Sequence, residues 1–323
     1  MNCVEKHILK QSDPRYKTCL AETRKSKDLR NAALFINRQH YSSRHGGNVT
    51  EDVAEDVDKD YVSWMKVDKL LKKQNHQAYK TMLANSAQET LKMLDSEYQS
   101  YFALLSLKKQ GLYNEKVRPP KYSDKDGYYP VVYNRSQLSQ KNLKNGIILI
   151  PKTDVTFDDF IHIETMRQLR IVPKNGYIVI ELLYRVEEEC MKEDNGRYAS
   201  MDPGIGTLGA IFSNVMSPLL ISGGPVKSIN QYYNKKLARL NTLLTQNKNT
   251  VVDHTTGEIK EQKTSKAIQR LSMKRQNKLF DYFHKASSLV VQILVSNQIN
   301  TFVLGHTKGW KQSTKMKHKS KNM

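Results

Sequence analysis

Cysteine is scarce in this sequence: Cys3, Cys19 and Cys190 stand far apart, and no CxxC pair occurs. That excludes a disulfide framework and leaves no zinc site within the sequence. Plain thiols suit a reducing interior, so a cytoplasmic location is expected. Long apolar runs are missing as well. No stretch of ~18 apolar residues is present, and Met1-Asn-Cys-Val-Glu-Lys-His7 has no apolar signal core. No membrane partner is expected. Acid is the third shortage, with 32 Asp+Glu against 52 Lys+Arg and a formal charge of +20. The basic excess recurs along the chain instead of filling one tail, which points to a polyanion, nucleic acid first. At 323 residues the chain is long enough for two or three cores, so a modular protein is expected.

What is present reads as helix first and strand afterwards. Cys3–Leu9 alternates weakly and predicts a short strand. Arg15–Tyr41 predicts a helix with Leu20, Leu29, Ala32, Ala33 and Ile36 on one face, and Arg24, Lys25, Lys27, Arg30 and Arg38 off it. A second helix is expected from near Thr50, where the first turn is acidic. Ser86–Gln110 predicts the strongest helix of this half, with Ser86 and Glu89 as a capping box and Gly111 as the C-terminal cap. After Arg118-Pro119-Pro120-Lys121-Tyr122 the texture turns to β: Tyr128–Tyr133, Ile147–Ile150, Leu169–Val172 and Tyr177–Val186. Asp126-Gly127, Asn145-Gly146 and Asn175-Gly176 separate these runs, the last as a hairpin turn. The pattern suggests a small β-barrel or a curled sheet.

The most informative segment is Ala199–Ser213. It reads as a short apolar strand ending in Asp202, a turn of Pro203-Gly204-Ile205-Gly206, and a second strand over Leu208–Phe212. A third strand is expected at Leu219–Ser222 and a helix from Ser228. The stretch Lys248–Lys263 is polar and turn-rich. A long helix is expected over Thr264–Asn297 and a last strand over Thr301–Leu304. One acid at a strand end beside glycines is how phosphodiester hydrolases hold a metal ion while backbone and substrate come close. A two-metal site needs several carboxylates around ions about 3.5–4 Å apart, and a convincing set is not found here.

In this order the pieces resemble the OrfB/TnpB proteins of insertion sequences, RNA-guided nucleases related to type V CRISPR effectors. The resemblance rests on Asn31–Arg38, Gln88–Phe102, Pro119–Tyr122 with Gly127-Tyr128, and Ser200–Ile205. It also rests on Lys274-Arg275 with His284–Ser287, and on Phe302–Gln312. It implies an α/β multidomain chain: a β-barrel wedge domain with an inserted helical recognition block, followed by an incomplete RNase H-like (RuvC) domain. The implied boundaries are residues 1–14 and 116–195 for the wedge, 15–115 for the helical block and 196–323 for the RuvC-like part. Guide RNA and target DNA are the implied partners and Mg²⁺ the implied ion.

Carried over residue by residue, Asp202 matches the first RuvC carboxylate, both catalytic residue and metal ligand. Gly305 occupies the place where many members have Glu, and the zinc-ribbon cysteines and the final Asp are absent. Ser313–Met323 is a low-complexity Lys/His/Ser/Asn/Met tail, which reads as a truncated end. His284 is expected to pack within its helix. His306 is a lone imidazole, a poor stand-in where Mg²⁺ prefers hard oxygens. Candidate nucleic-acid-binding residues are Arg24, Lys25, Arg30, Arg38, Arg118, Lys121, Lys274, Arg275 and Lys278, which would position a backbone without reading sequence. Tyr113, Tyr122, Tyr232 and Tyr233 are candidates for stacking on unpaired bases. The expectation is a transposase-associated, RNA-guided DNA-binding protein, an endonuclease by ancestry and cleavage-inactive as this chain. The alternative reading is a nuclease-dead RNA-guided regulator, and decay of a mobile element is the third. The oligomeric state is not set by the sequence.

Overall fold

The computed structural model describes residues 1–44, 61–188, 190, 193–246, 250–252, 259–261 and 264–305. It is a mixed α/β structure in two compact units, Met1–Glu188 and Glu189–Met323. The helix expected from Thr50, His306 and the tail 313–323 lie outside the described residues.

In the first unit, β1 (Asn2–Lys10) leads into α1 (Tyr16–Arg44). There follow α2 (Trp64–Lys73), α3 (Gln77–Lys80), α4 (Ala84–Lys109), β2 (Val131–Asn134), α5 (Gln140–Lys144), β3 (Ile148–Leu149), β4 (Thr156–Phe157), β5 (Met166–Lys174) and β6 (Tyr177–Arg185). The main sheet has the order β1-β6-β5-β2, antiparallel throughout, and β3 pairs with β4 separately. Asn175-Gly176 joins β5 to β6 as a two-residue hairpin, closed by Lys174 opposite Tyr177, with Gly176 at φ 92°. Gly at a positive φ is what such a turn requires.

Among the described residues no closed barrel is formed. β1 and β2 are the edges of an open sheet, whereas a barrel pairs its last strand with its first. The reason lies in the packing. Leu169, Ile171, Ile180 and Leu182 of the sheet share one core with Leu29 and Leu34 of α1 and Leu91 and Leu94 of α4. Helices bury this sheet, so it has no need to close on itself.

Two local expectations also change. α4 begins at Ala84, and its N-cap Leu83 offers no side-chain bond. Ser86 is buried inside the first turn, where its hydroxyl accepts from Gln137 Nε2 at 3.0 Å, while Glu89 pairs with Lys92. The capping-box pattern was met by a tertiary partner instead. The C-terminus follows expectation: Gly111 at φ 73° donates to Lys108 O, and Leu112 N–H donates to Leu107 O. Asn145-Gly146 ends α5 and joins no hairpin.

The second unit runs β7 (Tyr198–Pro203), β8 (Thr207–Ser213), β9 (Leu219–Ser222), α6 (Gly224–Gln246), β10 (Thr250–Val252), β11 (Ile259–Glu261), α7 (Lys266–Ser296) and β12 (Thr301–Leu304). Its sheet has the order β12-β7-β8-β9. The first three strands in sequence form an antiparallel meander, and β12 returns parallel to β7. Ala199, Ile211, Ile221, Val290 and Ile299 form its core, far smaller than that of the first unit. β10 and β11 form a separate hairpin within the polar stretch expected to be turn-rich. Among the described residues no helix is long and apolar enough to cross a membrane.

Candidate functional site

Asp202 stands near the end of β7, opposite Ala210 of β8. Its side chain faces solvent, and among the described residues it takes part in no ion pair or side-chain hydrogen bond. β12 runs alongside with Leu304 opposite Met201, and the next residue continues the ladder, Gly305 N–H donating to Met201 O at 2.8 Å. A Cβ built on Gly305 would lie 3.3 Å from Met201 O and 3.5 Å from Asp202 Oδ1. The parallel pairing therefore brings together the two positions that the sequence reading had linked by resemblance alone. One holds a carboxylate and the other has no side chain.

The turn after Asp202 is backed by the start of α6. Gly223 N–H donates to Gly206 O at 3.0 Å, and a Cβ on Gly223 would overlap the carbonyl oxygens of Ile205 and Gly206. Glycine at 223 is thus a steric requirement of that close approach. Lys227 adds a positive charge beside the turn, its Nζ 3.7 Å from where a Gly206 Cβ would be. No spacing in the sequence marks Lys227 as a neighbour of Gly206.

The donor set among the described residues does not fit a two-ion magnesium site. Among the described residues no group of three or more His, Cys, Asp and Glu side chains could hold a metal. The acids from Ala199 onward are Asp202, Asp253, Glu258, Glu261 and Asp281, and Asp281 is paired with Lys285 at 2.9 Å. Mg²⁺ held by protein carboxylates uses hard oxygens in octahedral geometry, and here a single carboxylate stands at the strand end.

Several basic residues of α1 also hold the fold together. The segment from Pro120 to Pro130 lies along α1 and is tied down at successive turns. Arg38 Nη2 donates to Pro120 O at 3.0 Å, Arg30 Nη1 to Lys121 O at 2.9 Å, and Lys27 Nζ to Lys125 O at 2.7 Å. Asn31 exchanges two bonds with Ser123, and Ser26 Oγ donates to Pro130 O. Three arginines also stack on tyrosines of this strap: Arg38 on Tyr122 at 4.5 Å, Arg30 on Tyr129 at 5.0 Å and Arg24 on Tyr128 at 5.4 Å.

Arg30 is 5% exposed and pairs with Glu97 at 2.5 Å, so its guanidinium is withdrawn from solvent. Burial pulls the Arg30 guanidinium down, but Glu97 beside it outweighs burial and raises it further above the ordinary range. Lys25 pairs with Glu22. Arg24, Arg38, Arg118 and Lys121 retain exposed side chains.

On α7, Lys274 and Lys278 face solvent, whereas Arg275 is half-buried and turned toward α6. Its Nε donates to Asn230 Oδ1 at 2.8 Å, and its guanidinium lies over Tyr233. Tyr233 also shares a hydrogen bond with Ser272, so this ring is a helix–helix contact and not a free stacking platform. Tyr232 is exposed beside Lys236, and Tyr113 is half-buried. His284 lies exposed against the Phe280 ring of the preceding turn, 4.0 Å between centroids. Three arginines that sequence spacing left ungrouped, Arg135, Arg167 and Arg185, line one cleft of the first unit.

Residues 181–311 match the OrfB_IS605 family, described as a probable transposase. No curated protein matches the chain. Among the solved structures that align with it are two at 12% identity. One is a cryo-EM structure of a Cas12f1–sgRNA–target DNA complex, which covers 96% of this chain and 75% of that one at a TM-score of 0.26. The other is a CRISPR-Cas12f ternary complex, which covers 91% of this chain and 64% of that one at a TM-score of 0.29. The segment 181–311 is thus similar to the OrfB_IS605 family.

Proposed function

We propose that this chain binds DNA under the direction of a guide RNA and, by itself, does not cut it. The observation that carries the reading is the family match over residues 181–311 together with the place of Asp202 in that segment. A three-stranded meander, a helix pair and a strand returning parallel to the first support reading this unit as an RNase H-like (RuvC) sheet, in which Asp202 would be the first carboxylate. In this reading residues 1–14 and 116–195 act as the wedge, 15–115 as the recognition block and 196–323 as the RuvC-like part. The protein works in the cytoplasm.

Base pairing between guide and target would supply sequence recognition, leaving the protein to hold backbone phosphates. The charge of +20 and the solvent-facing Arg24, Arg38, Arg118, Lys121, Lys274 and Lys278 suit that task. Mg²⁺ would supply Lewis acidity at the scissile phosphate if it were held. Asp202 would be one ligand, but Gly305 offers none, and no cleavage step is assigned to this chain.

The test is to purify the chain with RNA transcribed from its own locus, sequence what it retains, and measure binding to matched and mismatched DNA. One RNA species, retention of matched DNA only, and intact DNA in Mg²⁺ are expected. Failure to retain any RNA would remove the guided reading. Cutting that disappears in Asp202→Asn would overturn the absence of cleavage.

A further inference from the structure

The first unit contains a basic cleft that the reading above leaves unused, and three features of the fold build it. The first is Arg135, at the start of a short 3-10 turn after β2, whose Nη1 donates to the carbonyls of Ile163, Glu164 and Met166 at 2.9, 2.7 and 3.3 Å. A guanidinium held by three carbonyls is fixed in place before any ligand arrives. The second is a bulge in β5. Met166 faces Tyr184 and Gln168 faces Leu183, so Arg167 is the extra residue and leaves the ladder's alternation. Bulges re-aim the side chain they carry. The third is Arg185, the last residue of β6, whose N–H donates to Thr165 O at 3.1 Å and so stays beside the bulge.

These arginines line two adjoining clefts of about 600 and 870 Å³. Arg167 and Arg185 are exposed, and among the described residues neither forms an ion pair. Glu164 and Glu187 line the smaller cleft. Among the described residues the larger has Glu188 as its one acid, and that carboxylate is engaged by the Met1 amine at 2.8 Å. No aromatic side chain among the described residues lines either cleft. Bases would find no ring to stack on, whereas a planar guanidinium fork matches a phosphate bidentately.

We propose that the Arg135–Arg167–Arg185 cleft grips the phosphodiester backbone of a nucleic-acid strand. The proposal rests on the nucleic-acid reading above and gives it a specific contact site in the first unit. Arg135 is the preset member, and Arg167 and Arg185 close on the phosphates.

The test measures affinity of the full chain for a short single-stranded RNA, and for DNA of the same sequence, over a range of salt. Arg167→Ala with Arg185→Ala is compared with Lys69→Ala plus Lys73→Ala, an equal loss of charge on exposed residues of α2. For a single strand each lost phosphate contact lowers the salt slope by about 0.7, so the arginine pair is expected to lower it by about 1.4. The lysine pair is expected to lower it by less. Conversion of both arginines to lysine keeps the charge and is expected to fall between wild type and the alanine pair. A loss on RNA alone, or on DNA alone, supports the cleft and names its strand. Equal slopes for the arginine and lysine pairs would overturn the cleft while leaving the nucleic-acid reading intact. Wild-type protein that binds neither strand would overturn the nucleic-acid reading itself.

Discussion

At Gly305 a single missing side chain decides what the neighbouring carboxylate can do. Its φ is not among the positive values, so a side chain there meets no backbone strain. A Cβ would meet Asp202 Oδ1 at 3.5 Å, ordinary contact, and Met201 O at 3.3 Å, close enough that this carbonyl must give by a few tenths of an ångström. Gly305→Asp would therefore place a second carboxylate against the first, with a repulsion of about 1 kcal/mol or more in solvent. Its Tm in EDTA is expected to fall below that of Gly305→Ala, and Mg²⁺ or Mn²⁺ is expected to restore the difference. Identical responses of the two variants to divalent ions would show that the positions do not share a ligand. Legibility at this scale was uneven. Asp202 could be read from its own neighbours, because a strand, an acid and a glycine turn are contiguous. The partner position was reachable only through resemblance, since nothing local to Thr301–Gly305 names the strand it joins.

Among the elements, α1 shows how a helix that reads as basic becomes structural. Its period placed the apolar face correctly, yet Arg30 and Lys27 are buried because the Pro120–Pro130 strap covers the opposite side. Breaking the Arg30–Glu97 pair leaves Glu97 with the Tyr129 hydroxyl but no cation, and the Lys121 carbonyl without the guanidinium. Arg30→Ala is expected to cost about 3 kcal/mol in urea unfolding, whereas Arg118→Ala leaves the midpoint unchanged. Equal midpoints for the two would show that the strap carries no stability.

β1 is pinned in a similar way. Glu5 accepts from the Ile161 and His162 N–H groups and from the rings of His7 and His162. Burial pushes the Glu5 carboxyl up, but His162, the Ile161 N–H and His7 together outweigh it and hold it below the usual glutamate range. A depressed folded value contributes stability that is complete above the unfolded value and lost as pH falls through the folded one. The wild type is thus expected to lose more Tm than Glu5→Gln as pH drops below about 5. Parallel Tm curves for the two proteins would show that Glu5 is not the titrating group.

For the whole molecule, the two units differ in how much apolar surface they bury. The first packs two long helices against four strands around Leu29, Leu34, Leu91, Leu94, Leu169, Ile171, Ile180 and Leu182. The second relies on Ala199, Ile211, Ile221, Val290 and Ile299, while Phe280, Val291, Val295, Val303 and Leu304 remain exposed among the described residues. Burial supplies most of the driving force for folding at roughly 25 cal/mol per Å², so the second unit is expected to open first. In hydrogen exchange, amides of β7, β8 and α7 should exchange well before those of β5 and β6. Uniform protection across both units would show one cooperative structure instead.

The sequence by itself determined most elements. Apolar spacing set α1, α4, α6 and α7; Asn175-Gly176 set the β5–β6 hairpin; and the acid-glycine run set β7, its turn and β8. These are local properties, written in a few neighbouring residues by period and turn chemistry. Tertiary structure alone decided which charges meet solvent, why Ser86 caps nothing, why the first sheet stays open, and that Gly305 stands beside Asp202. Each of these depends on partners distant in the chain, and burial and register are fixed only when those partners pack.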